Sequence, residues 1–175
     1  MSAPRLVLIG APGAGKSTVG ALLARRWGTG FRETDDDVAR VAEKSVAEVF
    51  IEDGEQRFRE LERAAALAAL TEHDGVLALG GGAVLDPAVR EAVASYADRG
   101  GAVVLLEVTL ASAAGRVGFN QPRSMALGNP RSQWQALVEL RRPVYQELAS
   151  HTVSTDRVSP EQVVECITAL REESA

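Results

Sequence analysis

The sequence predicts an α/β fold, a parallel sheet covered by helices, on two observations. Short apolar runs alternate along the chain with amphipathic stretches of helical period, which is the pattern of repeated strand–helix–strand units. The first apolar run, Leu6-Val7-Leu8-Ile9, leads into Gly10-Ala-Pro-Gly-Ala-Gly-Lys-Ser17 and then into an amphipathic stretch from Thr18 to Trp27. Strand, glycine loop and helix therefore come one after another. At 175 residues, 46% of them hydrophobic and 25% charged, the chain has the size and composition of one domain with a proper core. No repeat, low-complexity tract or linker divides it, so 1–175 is expected to be a single domain.

Each element can be placed in turn. Strands are predicted at Arg5–Ile9, ending near Phe31-Arg32-Glu33, and at Val76–Leu79, Ala102–Glu107 and His151–Ser154. Helices are predicted near Lys16–Trp27, Asp36–Ala42, Glu55–Thr71, Pro87–Ala97, Leu110–Val117, Ser132–Ala149 and Pro160–Glu172. Ser45-x-x-Glu48 reads as a capping box opening one more short helix with Val49 and Phe50. Pro143 falls inside the seventh helical stretch and predicts a kink or a break. Between Gly118 and Pro130 the alternation stops. A loop of this length is a functional lid or a disordered connector; Arg116, Arg123 and Arg131, in or beside it, favour a lid spanning about 116–131.

Composition excludes several classes. The net charge is −5, so no broad basic surface for nucleic acid or anionic lipid is expected. Nothing reads as a signal peptide or a membrane span, and a soluble cytoplasmic protein is expected. Cys166 is the sole cysteine; it rules out an internal disulfide and is expected to be a small buried core residue.

The loop fits G-x-x-x-x-G-K-[ST]. Gly10, Gly13 and Gly15 let consecutive N–H groups of the loop, those of Gly13, Ala14, Gly15, Lys16, Ser17 and Thr18 among them, turn towards phosphate oxygens at a helix N-terminus. Lys16 can reach the β- and γ-phosphates, and the Ser17 hydroxyl can ligate Mg²⁺. A dinucleotide fingerprint would need G-x-G-x-x-G, but Gly13-x-Gly15 is followed by Thr18. A GTPase would need N-K-x-D, which is absent.

Ligands of an open parallel sheet bind beyond the carboxyl ends of its strands. The residues after strands two and three are unusual: Glu33-Thr34-Asp35 and Gly80-Gly81-Gly82. Capping and helix-dipole compensation explain Asp36 and Asp37 but serve Glu33 and Asp35 less well. One of these two carboxylates could hold Mg²⁺ through water while the other accepts a hydroxyl proton. Gly54-Glu55-x-x-Phe58-Arg59-x-x-Glu62 places Arg59 and Glu62 on one helix face. That pair can be a plain surface ion pair, or, beside Phe58 and Phe50, a guanidinium held ready for an anion. Three glycines after a strand suggest close approach of backbone to ligand. Arg141-Arg142-Pro143-x-Tyr145 completes the set.

In this order and spacing the phosphate loop, the x-T-D strand end, G-E-x-x-F-R-x-x-E, the glycine turn, an N-x-x-R lid and R-x-P-x-Y resemble the shikimate kinase family over nearly the whole chain. The resemblance implies a three-layer P-loop kinase fold with strand order 2-3-1-4-5, and transfer of the γ-phosphate of MgATP to the 3-hydroxyl of shikimate. It implies Lys16 and Ser17 for ATP and Mg²⁺, and Asp35 for the accepting hydroxyl. Arg59 and Arg141 would clamp the substrate carboxylate, with Glu62 orienting Arg59. Gly80, Gly81 and Gly82 would line the substrate, with Phe50 and Phe58 as its apolar wall and 33–62 as its region. Arg123 is the implied lid arginine, and Arg116 and Arg157 match arginines flanking adenine. ATP and shikimate are the implied partners of a monomer. Two departures stand out: Glu33 replaces the family's aspartate, and Ser124-Met125-Ala126 replaces the proline and leucines after the lid arginine. Gluconate-type kinases and a non-phosphorylating nucleotide-binding relative remain rival readings.

Overall fold

The structure is a computed structural model that describes residues 3–117 and 129–173. Five parallel strands form one sheet: β1 (Leu6–Ile9), β2 (Phe31–Glu33), β3 (Val76–Ala78), β4 (Val103–Glu107) and β5 (His151–Ser154). Their order is β2-β3-β1-β4-β5, as the family resemblance implies. β1 lies at the centre, with Leu6 opposite Val76 of β3 and Val7 opposite Val103 of β4.

The helices are α1 (Lys16–Trp27), α2 (Thr34–Ala42), α3 (Val46–Glu48), α4 (Glu55–Glu72), α5 (Pro87–Asp98), α6 (Leu110–Arg116), α7 (Pro130–Leu148) and α8 (Pro160–Glu173). A π-helical turn at Val49–Asp53 continues α3, and a short 3₁₀ turn at Ala83–Leu85 precedes α5. Strand side chains alternate between two cores. Val7, Ile9, Leu77, Val103 and Leu105 pack with residues of α4, α5 and α7. Leu6, Leu8, Val76, Val104 and Leu106 pack with α1 and α8 on the other face. This is why β1 reads as an unbroken apolar run instead of an alternating one.

Four expectations need correction. α2 begins at Thr34, not Asp36, with extended Glu33 before it, so Asp35 already sits in the first helical turn. α7 begins at Pro130, not Ser132, because the Asn129 side chain accepts the N–H groups of Arg131 and Ser132 and proline suits a first helical position. α7 also continues through Pro143, so of the kink or break expected there the break does not occur. Its face carrying Trp134, Arg141, Tyr145 and Leu148 is buried, and that packing outweighs the hydrogen bond that proline cannot donate. Cys166 is exposed, not buried. Val163, Val164 and Ile167 form the buried stripe of α8, and Cys166 lies at its edge. The Ser45 capping box is formed with both of its hydrogen bonds.

Candidate active site

The C-terminal ends of the strands bring the singled-out residues together. In the phosphate loop Gly13 and Gly15 have φ of 81° and 96°, in the left-handed region that glycine adopts without penalty. Lys16 opens α1 and is buried; its Nζ donates to the carbonyls of Gly10 (2.8 Å) and Ala11 (3.2 Å). Burial lowers its pKa to about 8, against the carboxylates of Asp35 and Glu33, which pull it up, while Arg141 lowers it further. Ala14 is buried beneath the loop, and Ser17 and Thr18 are exposed.

Ser17 Oγ donates to Glu33 Oε1 at 2.7 Å. Burial raises the Glu33 pKa, opposed by that hydrogen bond, and Asp35 and Asp36 push it the same way as burial. Asp35 is raised by burial too, opposed by Lys16. The hydroxyl and carboxylate are hard oxygen donors of the kind Mg²⁺ takes. Among the described residues no group of three or more His, Cys, Asp and Glu could hold a metal. The donor set therefore suits an ion that completes its shell with phosphate oxygens and water.

The glycine turn closes the opposite wall. Gly80 N–H donates to the buried Thr34 hydroxyl at 2.9 Å, tying the turn to the start of α2. None of the three glycines has a positive φ, so space and not backbone conformation requires them. A Cβ on Gly80 would stand 2.6 Å from Asp35 Oδ1 and 2.9 Å from Glu62 Oε1. On Gly81 it would stand 3.1 Å from Arg141 Nη1, and on Gly82 2.5 Å from Arg59 Nη1 and 3.3 Å from Arg141 Nη2. Both guanidinium groups thus converge on the Gly82 position.

The two arginines differ in what balances them. Arg59 Nη1 meets Glu62 Oε2 at 2.6 Å, and its guanidinium lies 5.0 Å from the centre of the Phe58 ring. Glu62 is only 4% exposed. Burial raises its pKa, opposed by Arg59. This is no surface ion pair. Phe50 meets Phe58 edge to face at 5.8 Å and is itself 43% exposed. Arg141 is 8% exposed, makes no ion pair among the described residues, and its Nε is buried without a hydrogen-bond partner. A buried guanidinium with no ion pair and an unpartnered Nε is costly, although Tyr145 shares a hydrogen bond with it, and a carboxylate or phosphate entering beside Arg59 would balance its charge.

On the other side of the phosphate loop Arg116 donates to Gly13 O (3.1 Å), Thr155 Oγ1 (3.0 Å) and Thr155 O (2.7 Å). With Ala14, Gly15, Thr18, Val158 and Pro160 it lines a cleft of about 290 Å³. Arg157 does not share in it: it is exposed, in a turn with φ 55°, and absent from the cleft wall. Arg123 and Ser124-Met125-Ala126 lie outside the described residues, as does most of the expected lid.

Three positioning side chains went unassigned in the sequence. Thr34 appeared only as the middle of a motif. Trp134 of α7 donates its indole N–H to Pro12 O of the phosphate loop at 3.0 Å. Tyr145, also of α7, donates to Gly81 O at 2.5 Å. Thr34 and Tyr145 carried a signal, their places in x-T-D and R-x-P-x-Y; Trp134 carried none. All three act through contacts with residues distant in sequence.

Comparison with known proteins shows the family. The shikimate kinase family model matches residues 12–171. The chain is 47% identical over 165 residues to a shikimate kinase of Streptomyces coelicolor, covering 94% of each chain. It is 49% identical over 166 residues to one of Thermobifida fusca, covering 95% of this chain and 94% of that one. A solved shikimate kinase from Acinetobacter baumannii in complex with shikimate superposes with a TM-score of 0.87 at 28% identity, covering 99% of this chain and 94% of that one. In sequence and in fold, this chain belongs to the shikimate kinase family.

Proposed function

We propose that the protein transfers the γ-phosphoryl group of ATP to the 3-hydroxyl of shikimate, giving shikimate 3-phosphate and ADP. The observation that carries the acceptor's identity is Arg141. It is buried, lacks an ion pair among the described residues, and converges with Arg59 on Gly82. A carboxylate placed there is held by two guanidiniums, and Glu62 keeps that of Arg59 in place. Neither Gly81 nor Gly82 donates its N–H to an acceptor among the described residues, so the turn can add backbone donors to the same anion.

With the carboxylate anchored, Asp35 is the carboxylate that faces the remaining hydroxyls. It accepts the proton as that oxygen bonds to the γ-phosphorus and the bond to the β-phosphate oxygen breaks. Lys16 exchanges its two loop carbonyls for β- and γ-phosphate oxygens and meets the charge that develops there. Gly13, Ala14, Gly15, Lys16, Ser17 and Thr18 supply the phosphate-facing loop, and Arg116 borders the cleft assigned to adenine. Ser17, with Glu33 through water, would hold Mg²⁺, which neutralises phosphate charge when bound. Arg123 is assigned to the phosphates from its motif, and 116–131 to the lid. Region 33–62 forms the shikimate side. No described helix is long and apolar enough to cross a membrane, and a cytoplasmic monomer acting on ATP and shikimate is the reading proposed.

The test uses Arg59→Ala and Arg141→Ala. Each should weaken shikimate binding by about 2–4 kcal/mol, as for loss of half of a desolvated charge-assisted clamp, with ATP affinity little changed. Against an analogue lacking the carboxylate the variants should lose almost nothing more. Equal losses with shikimate and that analogue would show that these arginines do not read the carboxylate. Gluconate in place of shikimate tests the rival acceptor.

A further inference from the structure

The tyrosine of R-x-P-x-Y has no part in the proposed chemistry, yet it is buried at the substrate wall. Tyr145 is 3% exposed, and its hydroxyl donates to Gly81 O at 2.5 Å. Burial raises its pKa, so the hydroxyl remains a donor across the working pH range. The acceptor matters because of what the same peptide carries. In a trans peptide the carbonyl and the following N–H point in opposite directions. Holding Gly81 O towards Tyr145 therefore turns Gly82 N–H away from it. That N–H meets no acceptor among the described residues, and Gly82 is the position on which Arg59 and Arg141 converge.

A Gly-Gly peptide is the kind that flips most readily, since neither side has a Cβ to restrict it. The turn is pinned at three other points, two of them on Gly80. Gly80 N–H donates to Thr34 Oγ1 (2.9 Å), and Ala83 N–H to Gly80 O (3.1 Å). Both fix Gly80 and leave the Gly81–Gly82 peptide unconstrained. Leu85 N–H donates to Gly82 O (3.0 Å) and fixes the next peptide along. Among the described residues Tyr145 is thus the side chain that sets the peptide between them.

We infer that Tyr145 is a positioning residue for substrate recognition: by holding the Gly81 carbonyl it aims the Gly82 N–H at the carboxylate bound by Arg59 and Arg141. This rests on the proposed shikimate reading. It makes the carboxylate site a three-donor cradle, in which one donor is a backbone amide whose direction a side chain on another element controls.

The test is Tyr145→Phe, which keeps the ring and deletes only the hydroxyl. The KM for shikimate should rise about tenfold or more, the scale of one hydrogen bond to a charged group, with kcat at saturation and the KM for ATP nearly unchanged. An analogue with a hydroxymethyl group in place of the carboxylate should lose far less between wild type and variant. Tyr145 also touches Arg141, so the substitution is repeated in an Arg141→Lys background, where the loss should persist. A loss that vanishes there would mean that Tyr145 acts through Arg141 alone and would overturn the inference. So would unchanged KM for shikimate in Tyr145→Phe.

A second measurement needs no variant. In wild-type protein with ¹⁵N-labelled glycine, shikimate should move the Gly82 amide proton downfield, and the hydroxymethyl analogue should not. An unmoved Gly82 resonance at saturating shikimate would refute the amide's role. If wild-type protein does not phosphorylate shikimate at all, the functional reading fails first, an outcome separate from either of these.

Discussion

Lys16 shows how one residue's environment sets a measurable property. Burial brings its pKa to about 8 in the free protein. The ammonium form is the one that can bind polyphosphate, and its fraction falls as pH rises through that value. kcat/KM for ATP, which reports the free enzyme, should therefore decline above about pH 8. Bound phosphates raise the pKa again, so kcat at saturating ATP should hold to higher pH. Asp35 works at the other limb. Burial raises its pKa above the ordinary 3.8, so the carboxylate is lost on acidification earlier than for a solvated aspartate, and activity should fall with it. Rate profiles against pH at low and saturating ATP check both signs. Gly80→Ala tests the steric reading of the glycine turn. The new Cβ would press on Asp35 Oδ1 and Glu62 Oε1. It should lower kcat on the order of 10²-fold, the cost of shifting a reacting group by about an ångström, while the KM for ATP stays close to wild type.

At the scale of elements, α7 links the two halves of the site. Trp134 reaches the phosphate loop, Arg141 the position of Gly82 beside Arg59, and Tyr145 the glycine turn, all from one helix. Its N-terminus depends on the Asn129 cap. Asn129→Ala should cost about 1 kcal/mol of stability, a fall in melting temperature of about 2–4 °C for a chain of this length. Calorimetry measures it. The periodicity of α7 was legible in the sequence, but its continuity through Pro143 was not. Local propensity argues for a kink or a break there, and that no break occurs is decided by tertiary packing of a face whose partners lie far away in sequence. The same limit explains Thr34 and Trp134, whose contacts lie 46 and 122 residues away. By contrast the phosphate loop, β5 and the Arg59–Glu62 pair are local patterns with fixed spacing, and they read correctly. The start of α2 was misplaced because Glu33 to Asp37 suits a strand end and a first helical turn equally well.

Over the whole molecule, the sheet order was read through family resemblance; alternation of strands and helices gave only the class. Local chemistry of the residues was enough to locate the sheet edge that carries the phosphate-loop motif and the acidic and glycine-rich turns; the pairing of Arg59 with Arg141 was read through resemblance, and the structure brings both to Gly82. Resemblance was needed to name the acceptor, because a carboxylate clamp alone does not tell one hydroxy acid from another. The acceptor is therefore the central claim. With purified protein, MgATP and shikimate, ³¹P NMR should show the γ-phosphate signal giving way to a phosphomonoester coupled to the proton at carbon 3. ADP should appear in equal amount, and gluconate should give neither. No phosphomonoester above the no-shikimate control, or an equal yield from gluconate, would contradict that assignment.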